Sequence, residues 1–173
     1  MYANQYSLGG YYTGLAGWEF SIEGYYKQMR HILEYQDGVS FFGTSTNWEE
    51  KVEMGEGRSL GLEMMVQKTL GKTTGWLAYT LAKTDHRFKD GAISQGKWFP
   101  YKYDRRHTIS LCLNHKFSER IDVGASWIFN TGGCITVPER ETIIIRPEGN
   151  IESAPYISRR NNYRLPASHR LNL

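Results

Sequence analysis

Trp18-Glu19-Phe20-Ser21-Ile22-Glu23-Gly24-Tyr25-Tyr26-Lys27 decides the architecture of this chain. Trp18, Phe20, Ile22, Gly24 and Tyr26 fall on one side of an extended backbone. Glu19, Ser21, Glu23 and Lys27 fall on the other, a period of two with no helical counterpart. Working outward, Tyr6, Leu8, Gly10 and Tyr12 alternate with Gln5, Ser7, Gly9 and Tyr11 before it. Beyond it, Leu60, Leu62, Met64 and Val66 oppose Gly61, Glu63 and Gln67, and Leu77, Tyr79 and Leu81 oppose Ala78, Thr80 and Ala82. Ile109, Leu111, Leu113 and Phe117 oppose Ser110, Asn114 and Lys116, and Ile121, Val123, Ala125, Trp127 and Phe129 oppose Asp122, Gly124, Ser126 and Asn130. A last segment begins near His169 with Leu171 and Leu173. The chain is all-β in this reading.

Short connections alternate with long ones. Thr13–Gly17, Leu70–Thr74 and Ser118–Arg120 read as tight turns, whereas Arg30–Gly57, Thr84–Arg106 and Thr131–Arg164 exceed the ~2–5 residues of ordinary hairpins. Placing every long loop at one end is the habit of a barrel threaded through an outer membrane. Strands of about ten residues suit a tilted crossing of a bilayer. Aromatics near strand ends (Tyr12, Trp18, Trp76, Phe117, Trp127, Phe129) suit interfacial girdles, and Glu23, Lys27, Glu63, Gln67, Asn114, Lys116 and Asp122 suit a wet lumen. The pattern therefore predicts an antiparallel transmembrane β-barrel segment of about seven up-and-down strands. Composition agrees in part: of 173 residues 14% are aromatic, with 12 Tyr and 18 Gly. A net charge of +3, evenly spread, argues against nucleic acid as a partner. No apolar run reaches the ~18 residues of a transmembrane helix, and no leader-like segment opens the chain.

Four stretches carry a resemblance: Trp18–Lys27, Gly75–Lys83, Phe99–Ser110 and Arg160–Leu173. Within them, Tyr103-Asp104-Arg105-Arg106-His107, Tyr163-Arg164-Leu165-Pro166 and His169-Arg170-Leu171 are the most distinctive. Together they resemble the C-terminal barrel portion of TonB-dependent outer-membrane receptors, in the form common in Bacteroidetes. That resemblance implies a barrel of about 22 strands, of which residues 1–173 would be a partial barrel domain with the plug domain absent. It implies energy-coupled nutrient uptake by the intact receptor, with this portion supplying barrel wall and extracellular loops and inactive alone. The implied location is the cell outer membrane of a Gram-negative bacterium. The implied partners are outer-membrane lipid, the rest of the barrel and plug, the TonB complex through that plug, and a surface lipoprotein over the loops.

Two rivals come from other classes. One is a soluble β-barrel or sandwich that binds carbohydrate, and the other is an outer-membrane enzyme on a small barrel. Alternation alone does not separate the first from the main reading, because an apolar face can point to a core or to lipid.

No catalytic, metal or cofactor constellation emerges, so the chain is expected not to be an enzyme and to need no cofactor. Asp104-Arg105-Arg106-His107 reads as a charged strand entry. His107 and Ser110 stand three apart and point to opposite faces of a strand. Gly71-Lys72-Thr73 lacks the earlier glycine of a phosphate-binding loop, Val66 standing in its place, and reads as a turn. His31, His86, His107, His115 and His169 lack the spacing of a zinc site. Cys112 should lie opposite about Ser126, too far from Cys134 for a disulfide. For ligand contact the loop aromatics Trp48, Trp98 and Tyr101 are the candidates, since an exposed ring can stack on a sugar; the competing reading is that they pack loop against loop.

Overall fold

The computed structural model describes residues 1–36, 51–91, 93–145 and 151–173. Long strands form where the alternation is strongest: β1 (Tyr2–Leu15), β2 (Trp18–Tyr35), β3 (Val52–Lys68) and β4 (Thr73–Arg87). They are followed by β5 (Phe99–Pro100), β6 (His107–Lys116), β7 (Asp122–Asn130), β8 (Cys134–Ile135), β9 (Arg140–Ile145), β10 (Ile151–Tyr156), β11 (Tyr163–Arg164) and β12 (Ser168–Asn172). One eight-stranded sheet runs in the order β1-β2-β3-β4-β6-β7-β12, with β5 paired to the end of β4. The pairs β10-β9 and β11-β8 form two small sheets of their own.

The registers carry the alternation across the sheet. Ile22 pairs with Met64, Met64 with Tyr79, Tyr79 with Ile109 and Ile109 with Phe129, so these apolar side chains share one face. Glu23 pairs with Glu63, Glu63 with Thr80 and Thr80 with Thr108 on the opposite, polar face. Cys112 stands opposite Ser126, as the hairpin through residues 118–120 requires, and both cysteines are free.

A closed or closing transmembrane barrel segment is not what the strands form. Among the described residues β1 and β12 are edges that pair on one side only, and the sheet does not close. The chain is an open all-β sheet with two accessory hairpin-like pairs, not a segment shown to belong to a transmembrane barrel. The physical reason is that alternation specifies which residues share a face. Closure depends on strand number, tilt and stagger, which alternation does not encode.

The buried core is small and sits at the long-loop end. Ile32, Phe88, Ile93 and Phe99 cluster there, with Met29 packed against them. Elsewhere the sheet is one layer thick, so even well-placed apolar residues such as Ile22, Leu60 and Leu77 stay partly exposed. The long connections are structured by charge as much as by apolar packing. Asp85 is buried between Arg58 and Lys83, and Glu56 receives Arg87 and Lys89. The Arg87 hydrogen bond holds the Glu56 carboxyl below its ordinary range.

Candidate binding cleft at the loop end

Three loop segments meet beside the start of β6. The first, residues 99–106, turns back onto β4: Tyr101 N–H donates to Thr84 O at 2.9 Å and Asp104 N–H to Tyr101 O at 2.9 Å. The second follows β7, where His107 N–H bonds the Thr131 hydroxyl at 3.0 Å and Cys134 N–H reaches Lys102 O at 2.9 Å. The third is β11, which pairs Tyr163 with Ile135 and Arg164 with Cys134. Close approach of the first two needs a residue without a side chain, since a Cβ on Gly133 would lie 2.7 Å from Lys102 O.

Asp104 ties the three together. It is 3% exposed, and its carboxylate accepts from Thr84 N–H at 2.7 Å and from Arg164, with Arg106 3.5 Å away. Arg164 also donates to the main-chain carbonyls of Asp104 and of Gly132, the latter at 2.9 Å. A carboxylate so buried persists only because its lone pairs are filled by charge-assisted bonds. The segment beginning at Asp104 is thus the entry into β6, which starts at His107; Asp104 and Arg106 are bonded within the junction, whereas Arg105 lines the cleft beside it.

A cleft of 460 Å³ opens on the outer side of this junction, lined by Lys102, Tyr103, Arg105, Gly133, Thr136, Asn161 and neighbours. Tyr103 is 66% exposed, with Tyr101 edge-on at 5.4 Å and the Lys102 ammonium 4.8 Å from its ring centre. Asn161 is fixed by three bonds: its amide donates to Pro100 O at 2.8 Å, its N–H to the Thr136 hydroxyl at 2.9 Å, and its side-chain carbonyl accepts from that hydroxyl. Its φ of 54° is a left-handed value that Asn tolerates better than most residues. The cleft therefore combines an exposed ring with polar groups held by a locked backbone. Among the described residues its lining carries no carboxylate.

The aromatic candidates from the sequence divide. Trp98 lies under the guanidinium groups of Arg58 and Arg87, 4.3 and 4.7 Å from its ring centre. Tyr101 stacks on His86 at 4.6 Å. Both rings are engaged in holding the loop to the strands. Trp48 lies outside the described residues. Tyr103, the ring that faces the cleft, was missed because it sits inside a segment dominated by charges. His107 bonds the Tyr79 hydroxyl and His115 the Thr73 hydroxyl, each at 2.8 Å, and among the described residues no group of three or more His, Cys, Asp or Glu is placed to hold a metal.

His86 is the anomaly of this region. It is 8% exposed, its Nδ1 has no partner, and burial lowers its pKa to about 4.

No family model, no curated protein and no solved structure matches the chain. The resemblance to TonB-dependent receptors is accordingly withdrawn, and with it the uptake function, the outer-membrane location and the partners it implied: outer-membrane lipid, barrel remainder, plug, TonB complex and lipoprotein. Of the motifs that carried it, Tyr103–His107 and Tyr163–Pro166 meet at the Asp104–Arg164 ion pair, and His169–Leu171 lies in β12. Such a junction answers a local need of loop packing and carries no information about transport.

Proposed function

We propose that this chain is a non-catalytic carbohydrate-binding module, with the sugar seated in the cleft against Tyr103. One observation carries the reading: a 66%-exposed Tyr ring in a cleft of 460 Å³ that sets Lys102, Arg105, Thr136 and Asn161 among apolar groups such as Ile135 and Leu165, beside the ion pair of Arg164 with the buried Asp104 carboxylate. A phenol ring offers an apolar face to the C–H side of a pyranose, and Asn161, Thr136, Lys102 and Arg105 offer hydrogen-bonding groups to its hydroxyls. The volume falls within the range of ordinary small-ligand pockets. A preformed backbone keeps the ordering cost of binding low. The lining favours binding over turnover, because it offers donors and a ring but no acid–base pair among the described residues.

Affinity electrophoresis through gels cast with a panel of soluble polysaccharides tests this. At least one glycan should retard the wild-type chain, Tyr103→Ala should abolish the retardation, and Trp98→Ala should leave most of it. Absence of retardation across the panel, or retardation unchanged in Tyr103→Ala, would refute the assignment.

A further inference from the structure

The two edges of the sheet are built differently. β12 carries Arg170 and follows Pro166 closely, both of which discourage a further strand. β1 is 14 residues long and exposed at every position. From Met1 to Leu15 it contains no charged residue and no proline. Its irregularity in register lies only near its end, between Tyr12 and Leu15. A long, straight, neutral edge is what folded proteins avoid leaving open, because its free N–H and C=O groups accept another strand.

We propose that β1 is an interface strand, and that it pairs antiparallel with β1 of a second copy of this chain about a two-fold axis at Gly9. The strand is self-complementary in that register. Tyr6 meets Tyr12 of the second copy, an aromatic cross-strand pair formed twice from rings that are 68% and 56% exposed in the single chain. Leu8, 85% exposed, meets Gly10 of the second copy, where a Cβ would find only the Ile22 side chain at 3.9 Å and space remains for a larger group. Each pair joins residues of equal parity, so the apolar faces of both sheets stay on one side. Absence of charge on the strand removes the repulsion that a two-fold axis would otherwise impose on like groups. The pairing is isologous and closes, which limits association to a dimer. The cleft is built by loops flanking β5, β6 and β7, away from this edge, so the dimer carries two clefts and gains avidity on a polymeric ligand.

Sedimentation velocity of the full chain across about 1–100 µM, a range that spans common dimer affinities, reads the outcome directly. The wild type should approach about 40 kDa, twice the 20.0 kDa of one chain. Tyr6→Lys with Tyr12→Lys places Lys against Lys at both ends of the register and should leave a single chain. Tyr6→Lys with Tyr12→Glu places Lys against Glu and should restore the dimer, which also excludes misfolding as the cause of the first loss. A wild type that stays at one chain's mass, a double-Lys variant that still dimerises, a Lys/Glu variant that does not, or growth beyond two chains would each overturn the proposal.

Discussion

Replacing Asp104 should reveal how strongly the cleft walls depend on one carboxylate. Asp104→Ala strips Arg164 of its ion pair and leaves Thr84 N–H, a bond of 2.7 Å in the native chain, without an acceptor. Breaking a buried pair costs about 3–5 kcal/mol. Here the surviving guanidinium groups of Arg164 and Arg106 are 31% and 36% exposed and can recover water, which places the loss near the lower limit, about 3 kcal/mol. Asp104→Asn keeps an oxygen for Thr84 and should cost about half as much. Arg164→Met should be the worst of the three, because the carboxylate it abandons is 1% exposed and cannot rehydrate. Urea unfolding followed by far-UV circular dichroism measures this. With a slope of about 2 kcal/mol/M, Asp104→Ala should move the midpoint down by about 1.5 M. The reasoning fails if all three variants unfold within about 0.5 kcal/mol of the wild type, or if Asn proves more damaging than Ala.

Gly75 has φ +148°, and a Cβ there would stand 2.1 Å from the main-chain oxygen of Cys112. Gly75→Ala should therefore destabilise the β4–β6 pairing by about 3 kcal/mol or more, measured by the same unfolding curves. His86, depressed by burial from 6.5 to about 4, binds a proton more readily unfolded than folded. Its neutral burial should thus favour folding fully above pH 6.5 and progressively less as pH falls toward 4, so His86→Phe should flatten that part of the stability profile relative to wild type. Cys134 is 3% exposed and its thiol pKa is raised by burial, whereas Cys112 is half-buried in β6. Iodoacetamide should label Cys112 first in the native chain, and equal labelling rates would contradict the burial of Cys134 in β8 beside β11.

Much of the sheet was legible because apolar and polar residues alternate from Trp18 to Lys27, interrupted only by Tyr25, and alternate less strictly in five other segments. The register across β2, β3, β4 and β6 follows from that alternation once the turns are placed. The charged ends of the strands were less legible. β2 continues to Tyr35 and β3 begins at Val52 although Arg30, Glu34, Glu53 and Glu56 obscure the pattern there; Glu56 pairs with Arg87 of β4, Glu34 with Arg160 of the loop before β11, and Glu53 accepts from Gln36. Whether the sheet closes was not legible at all. The short β8 and β11 were invisible for another reason: two-residue strands hold no period, and they exist because Arg164 finds Asp104 across about sixty residues of chain. Tyr103 could have been singled out only by knowing that its neighbour Asp104 turns inward and so forces the ring out.

Strand order also dictates how securely each strand is held. β1 through β4 are sequential neighbours, and β6 and β7 are joined by the turn at residues 118–120, so those pairings close locally. β12 reaches β7 only after the excursion through residues 131–167, and its five paired residues must outweigh that larger closure entropy. Among the described residues it pairs on one side only. The amides of Ser168–Asn172 should accordingly exchange with solvent through local opening, at free energies well below those of β3, which is flanked by both β2 and β4 from Glu56 to Lys68. Each such opening should leave β7 as the edge of the described sheet, one strand narrower, until the pairing re-forms.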